Sequence, residues 1–218
     1  MIVVVGLPAY ADSPDGEKCA GGLAVEVATA AQRRGGVVEL VGKVGNDGAG
    51  DAVVVALGRM GIGHAALLRD ALLPTPVLVA EVVDEDAAEV DAEAPEARLL
   101  PADAAARPGL DAGDIDLALK FLPQAGVIVL AGPLPEAAVS AAVDGAAFAG
   151  ARLIVLVPSG VVSPAVPSEA TVLEAPPDDD GSFGRLVGIF AAALDAGVDP
   201  AVAFSEAVSA AGWEPAAD

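Results

Sequence analysis

Few residues in this sequence could build disulfides, metal centres or catalytic triads. Cys19 is the only cysteine and His64 the only histidine among 218 residues. A disulfide within the chain and a cysteine-based metal site are therefore excluded, and no Ser-His-Asp triad can be argued. We expect His64, between two small residues of a predicted loop, to be solvent-exposed. Aromatic residues make up only 3% of the chain, which argues against ligand recognition by aromatic stacking.

Basic residues are scarce as well. Lys and Arg number 11 against 32 Asp and Glu, giving a formal charge of −21. Such a charge repels phosphate backbones and anionic lipids, so nucleic acid and membrane are excluded as expected partners. No apolar run approaches the roughly 20 residues of a membrane helix, and the segment 1–6 lacks the features of a signal peptide. We therefore expect a cytoplasmic protein whose acidic excess is solvated surface.

What the chain does contain is alternating β and α patterns over one predicted domain, residues 1–218. Runs of β-branched residues alternate with Ala-rich helical segments, which is typical of parallel strands joined by helices. An acidic, Pro-containing stretch at 84–109 predicts an exposed loop. The predicted strands are 1–5, 37–41, 78–83, 127–131, 153–157 and 171–173, and the predicted helices are 22–34, 46–60, 114–122, 135–149, 182–195 and 200–211.

Two glycine-rich segments resemble the signatures of one enzyme family. In the first, Gly21-Gly22 precedes a helix, and the segment 42–50 then has the pattern Gly-x-x-Gly-x-Asp-x-x-Gly. The second is 178–190, where Asp178, Gly181, Gly188 and Phe190 match. Both resemble the PfkB, or ribokinase-like, carbohydrate kinases. The resemblance implies a three-layer α/β/α ribokinase-like fold with a mostly parallel central sheet, and ATP and Mg²⁺ as cofactors of active members.

The second segment departs from the family pattern where catalysis and phosphate binding reside. The resemblance aligns Gly184 with the family's catalytic Asp, so no side chain is left to accept a proton there. Gly181, Ser182 and Phe183 take the place of the family's anion hole. Phe183 replaces a glycine of that turn, and we expect its ring to obstruct the approach of phosphate. Asp179 and Asp180, just before the turn, would repel a nucleotide.

The sugar-binding side of the resemblance is also incomplete. It assigns vestigial substrate contacts to Asp12, Gly21, Gly22 and Glu26, with Glu26 at the place of a family Asn. Only the short stretch 9–20 stands where the family inserts lid strands, so we expect a lid that is reduced or absent. The shortened segment between Val157 and Asp178 implies an incomplete adenine-binding side.

Structural roles are preferred over functional ones for the remaining residues of interest. Asp178 to Asp180 could bind a divalent cation but more often such a run marks the start of a helix, so no metal site is predicted. Asp47 is expected to cap a helix, and Trp213 to pack on the surface.

Three functions stay open, in this order. The first is a degenerate, non-phosphorylating relative of the kinases that keeps a pocket for a small molecule of the sugar or nucleoside class. The second is a protein-interaction or scaffold role. The third is an active kinase with a relocated base such as Asp179 or Asp180. Lid strands of this family take part in dimers, so a homo-oligomer also stays open.

Overall fold

The computed structural model describes residues 1–12, 18–80, 97–99, 107–176 and 181–212, which form two β-sheets and six helices. The strands are β1 (Ile2–Val5), β2 (Ala9–Asp12), β3 (Lys18–Gly21), β4 (Val38–Gly45), β5 (Leu67–Asp70), β6 (Val77–Ala80), β7 (Ala97–Leu99), β8 (Val127–Ala131), β9 (Arg152–Pro158) and β10 (Thr171–Ala175). The helices are α1 (Leu23–Arg33), α2 (Gly48–Arg59), α3 (Ala112–Phe121), α4 (Glu136–Ala149), α5 (Ser182–Asp195) and α6 (Pro200–Ala211).

The larger sheet has six strands in the order β10-β9-β8-β1-β4-β5, and all of its pairings are parallel. Strand β1 lies near the middle, where all four of its residues are buried. Buried parallel strands have apolar residues on both faces, which is why β1 and β8 are continuous runs of β-branched and aliphatic residues. The predicted parallel sheet is confirmed.

Helices cover both faces of this sheet. Ile2 and Val4 of β1 pack into a core shared with α1, α2, α5 and α6, while Val3 and Val5 pack into a second core shared with α3 and α4. This alternation follows from the two-residue period of a strand. The three-layer α/β/α fold is thereby confirmed. Within the described residues, no helix has the length and apolar character needed to cross a bilayer.

A smaller sheet agrees with the expected reduced lid. It has four strands in the order β3-β2-β6-β7, of which β2/β3 and β6/β7 are antiparallel. Each strand has only three or four residues. The sequence pattern predicted β6 as the strand 78–83 but not β2, β3 or β7, because such short strands lack a readable alternation.

The predicted acidic loop at 84–109 also needs a correction. Strand β7 lies within it and pairs with β6. Residues 84–96 and 100–106 lie outside the part of the chain that the structure describes, as do Asp178 to Asp180 and Trp213.

Candidate functional site

The carboxyl ends of the parallel strands open onto a cleft. In an open α/β sheet this edge is where ligands usually bind, because loops and helix N-termini converge there. A cavity of about 180 Å³ lies beside the ends of β1 and β8, lined by Gly6, Leu7, Ala9, Gly22, Leu23, Ala24, Pro76, Arg107, Ala131, Gly132, Pro133 and Leu134. A second cavity of about 340 Å³ lies beyond Leu23, at the ends of β8, β9 and β10. Leu23 and the turn at Gly132-Pro133 line both cavities.

Charge is nearly missing from the smaller cavity. Arg107 is its one charged lining residue among those described, and its side chain is half-buried. Arg107 was not predicted as a site residue, because it lies at the end of the predicted acidic loop. The one sequence signal of an ordered segment there is the apolar Leu110 after Pro108 and Gly109.

Next to this cleft, helix α5 begins at Gly181. Gly181 adopts a left-handed conformation with φ 84° and provides no side-chain cap. Gly22 similarly begins α1 with φ 94°. Such left-handed turns favour glycine, which explains why both helix starts have it. The N-terminus of a helix is the end that favours negative charge, because of the helix dipole.

The carboxylate of Glu26 lies against this helix start. A Cβ placed on Gly181 would be 3.6 Å from Glu26 Cδ and 3.7 and 3.9 Å from its two carboxylate oxygens. A Cβ placed on Gly184 would be 2.7 Å from both the Cβ and Oε2 of Glu26. The resemblance aligned Glu26 with a substrate contact and Gly184 with a base. The structure brings these two positions together.

Helices α1 and α5 approach too closely to leave room for a side chain at Gly184. One turn further along α5, a Cβ on Gly188 would collide with the carbonyl oxygen of Val27 and lie 2.6 Å from Ala30 Cβ. Cβ contacts below 3.0 Å require something to move, and here the opposing atoms include backbone. The glycines at 184 and 188 are therefore required by helix packing.

Phe183 is only 4% exposed and belongs to the core shared with α1 and α5. This differs from the expectation that its ring obstructs the turn. Its hydrophobicity explains the placement, because helix position 183 faces the sheet and burying a ring there removes a large apolar surface from water. Ser182, the first residue of α5, is half-buried.

Of the remaining predicted substrate residues, Gly22 alone lines the cleft. Gly21 ends β3 within the smaller sheet, where a Cβ would be 2.7 Å from Leu78 Cδ1 of β6. Gly22 lines the smaller cavity. Asp12 ends β2, and its backbone pairs with Lys18. Within the described ranges, no group of three His, Cys, Asp or Glu residues is placed to hold a metal ion.

Asp47 caps helix α2, as expected. Its Oδ1 accepts hydrogen bonds from Gly50 N at 2.7 Å and Thr75 Oγ1 at 2.7 Å, and its Oδ2 accepts one from Thr75 N at 2.8 Å. Burial opposes ionisation of this carboxyl, but these hydrogen bonds and the nearby Arg69 charge outweigh it and lower the pKa of Asp47. The residue thus joins α2 to the segment that leads into β6, and has a structural role.

Glu174 has a similar role at the end of β10. Its Oε1 accepts hydrogen bonds from Ser159 Oγ at 2.8 Å and Gly160 N at 2.9 Å. These bonds lower the pKa of Glu174. They fix the turn after β9, which borders the larger cavity. His64, in contrast to expectation, is half-buried, and its Nδ1 lies 3.1 Å from the carbonyl oxygen of Ile62.

The layer order, the parallel sheet and the cleft together define a ribokinase-like α/β/α fold. Three solved structures illustrate the likeness. Ribokinase from Arabidopsis thaliana, solved with ribose and ATP, has a TM-score of 0.67 and 15% identity, over 96% of this chain and 90% of that one. A PfkB protein from Polaromonas sp. JS666 has a TM-score of 0.67 and 15% identity, over 97% of this chain and 94% of that one. The protein Sa239 has a TM-score of 0.68 and 14% identity, over 99% of this chain and 95% of that one.

At such identities the likeness shows the fold. No family model matches this chain, and no curated protein matches it.

Proposed function

We propose that this chain is a ribokinase-like protein that has lost phosphoryl transfer and keeps a small-molecule pocket at the carboxyl edge of its sheet. The observation that carries the proposal is the Glu26 carboxylate beside the first turn of α5. In the kinases of this fold, the corresponding turn is where phosphate and base are expected to meet. Here a carboxylate of the protein itself takes that space.

The energetic balance favours exclusion of phosphate. A helix N-terminus stabilises an anion by about 0.3–2 kcal/mol. Two unit charges of like sign 4 Å apart repel by about 4 kcal/mol at an effective dielectric constant of 20. The repulsion between Glu26 and an incoming phosphate therefore exceeds what the helix start supplies, unless a cation intervenes.

The smaller cavity supports retained binding of a small molecule. Its volume of about 180 Å³ is below the range of about 300–1,000 Å³ for drug-sized ligands, so it suits a compact one. Its apolar walls favour a ligand with a carbon framework, and Arg107 would donate hydrogen bonds to an acceptor group on it. The sugar or nucleoside class is the one that the resemblance implies, and it is therefore the class to test in this cavity.

The test is an assay of ADP release with purified protein, ATP and Mg²⁺ against a panel of sugars and nucleosides. We expect no release above the substrate-free blank for the wild type or for Gly184→Asp. Gly184→Asp restores a carboxyl but must force α1 and α5 apart. The matched Glu26→Gln variant keeps the size of the side chain and removes its basicity, and should also be inactive.

Phosphorylation by the wild type would overturn the proposal, and the variants would then locate the base. Loss of activity in Glu26→Gln alone would assign the base to Glu26. Loss only when Asp179 and Asp180 are both changed to Asn would assign it to the segment before α5. Binding is tested separately by a thermal-shift screen with the same panel, in which Arg107→Gln should abolish the response of any ligand that raises the melting temperature.

An interaction role is the second candidate, and one observation favours it. Phe121 at the end of α3 and Phe148 near the end of α4 are 76% and 86% exposed. The two helices pack against each other where Gly145 meets Leu119, which places both phenylalanines at the same end of this layer. If they form a self-association surface, sedimentation should show a concentration-dependent dimer that Phe121→Ser/Phe148→Ser disrupts. A strictly monomeric wild type would rule this out.

A further inference from the structure

A groove separate from the strand-end cleft runs along the outer surface of α1 and α5. Its volume is about 490 Å³, within the range of about 300–1,000 Å³ typical of small-molecule sites. Val25, Ala30, Met60, Ile189 and Ala210 provide its apolar lining, and Glu26 and Gly181 line one end of it.

Three arginines line this groove. Arg33 and Arg34 lie at the end of α1, and Arg185 lies in the first turns of α5. All three side chains are exposed. The groove therefore gathers three of the chain's 11 basic residues.

These arginines have no acidic partner, whereas three other cations of the described residues each have one. Lys43 pairs with Asp114, Arg69 with Asp51 and Lys120 with Asp116. In the part of the chain that the structure describes, Arg33, Arg34 and Arg185 have neither an ion pair nor a side-chain hydrogen bond. The chain has 32 acidic residues that could have paired with them. Three unpaired guanidinium groups around one groove therefore form a local positive potential on a protein whose net charge is negative.

Glu26 lies at one end of the groove, and Arg33 and Arg34 lie toward the other. Helices α1 and α5 run in the same direction, since Gly184 faces Glu26 and Gly188 faces Ala30. Arg33 is seven residues beyond Glu26 on α1, a rise of about 10 Å, whereas Arg185 directly follows Gly184 and its backbone is level with Glu26. The part of the groove farthest from the Glu26 carboxylate is therefore the Arg33 and Arg34 end, and we expect an anion there.

We propose that this groove binds an organic phosphate, with the phosphate on the arginines and the carbon framework along the apolar walls. Guanidinium groups bind phosphate through paired N–H donors, and more strongly than neutral donors do. A phosphate without an organic part would leave the apolar walls unused. A nucleic acid is excluded because the net charge of −21 would repel its backbone outside this groove.

The test is isothermal titration of the folded protein at low ionic strength with phenyl phosphate, ribose 5-phosphate and inorganic phosphate, with benzyl alcohol and ribose as neutral counterparts. We expect at least one ester to bind more tightly than about 1 mM, more tightly than inorganic phosphate and its neutral counterpart. Arg185→Gln and Arg33→Gln should each weaken that binding about tenfold or more. Both residues are exposed, so both variants should fold.

Two matched controls separate a built site from a general charge effect. Arg152→Gln removes the same charge from an exposed arginine outside the groove, and should change the affinity less than twofold. Arg107→Gln alters the strand-end cleft and should also have little effect. The proposal is overturned if neither ester binds, if inorganic phosphate binds as tightly as the esters, or if Arg152→Gln weakens binding as much as Arg185→Gln. Loss of binding in Arg107→Gln alone would place the ligand in the cleft and equally overturn it.

Discussion

Replacing Gly184 by Ala tests whether the space for a catalytic side chain has closed. The added Cβ would lie 2.7 Å from Glu26 Cβ and Oε2 and 3.4 Å from Leu23 Cδ1. The carboxylate can rotate away, but Glu26 Cβ moves only if α1 shifts by several tenths of an ångström. Overpacking of this kind costs about 1–3 kcal/mol, and the better helix propensity of Ala returns up to about 1 kcal/mol. We therefore expect Gly184→Ala to lower the free energy of unfolding by about 0.5–2 kcal/mol.

The assay is urea unfolding followed by circular dichroism, with two comparisons. Gly48→Ala, at the first position of α2, is the matched control because nothing lies within 4 Å of its Cβ; it should be neutral or stabilising by up to about 1 kcal/mol. Glu26→Gly removes the opposing Cβ, so Gly184→Ala should cost less in that background, and the difference is the coupling energy of the pair. Gly184→Ala proteins as stable as Gly48→Ala proteins would refute the closed packing, and would reopen position 184 to a base.

Three further predictions concern the scaffold. Gly188→Ala should lower the free energy of unfolding by at least as much as Gly184→Ala, because its Cβ meets backbone of α1 that cannot rotate away; urea unfolding measures this. Asp47→Ala, which leaves Gly50 and Thr75 without their shared acceptor, should cost about 1–3 kcal/mol in the same assay. Because the pKa of Asp47 is lowered in the folded protein, its ionised form stabilises the fold. This stabilisation is fully present above the unfolded-state pKa of about 3.9, and it is lost as the pH falls through the folded-state pKa. The urea midpoint of Asp47→Asn should therefore fall less than that of the wild type on acidification from pH 5 to 3, and equal falls would contradict the assigned role.

Most of the large sheet and its helices could be predicted from the sequence, because their signals are local. Helix α5 was predicted with the observed bounds, 182–195, and α6 likewise. Strand β4 extends to Gly45 rather than ending at Val41, because pairing with β5 continues through glycines that a sequence pattern treats as turns. Of the second sheet only β6 was predicted, as the strand 78–83. Strands β2, β3, β5 and β7 are short and depend on pairing with segments distant in sequence, which no local period indicates.

The residues of the candidate site come from a resemblance that carries no geometry. Resemblance identified Glu26, Gly181 and Gly184 as residues of interest, and the structure brings all three to one helix start. It could not indicate that the Glu26 side chain fills the space beside Gly184, since that depends on the distance between α1 and α5. The burial of Phe183 was missed for a related reason, because the direction of a side chain in the first turn depends on how the helix is set on the sheet.

The two substitutions at this helix start are best understood together. A carboxyl that the resemblance expects on α5 is missing, and a carboxyl that it does not expect stands on α1, facing the same gap. The charge near the start of α5 is therefore kept, which suits the positive end of the helix dipole. The carboxylate cannot act in the same way from α1. A base on α5 would point toward a bound hydroxyl, whereas Glu26 comes from the neighbouring helix and lies against the first turn of α5 itself. The two differences from the family pattern also depend on each other. An Asp at position 184 needs space that Glu26 occupies, and Glu26 fits only because position 184 is Gly. Under the proposed function, kinase chemistry would therefore require both positions and the spacing of α1 and α5 to change at once, so neither Gly184→Asp nor Glu26→Asn alone should yield measurable ADP release.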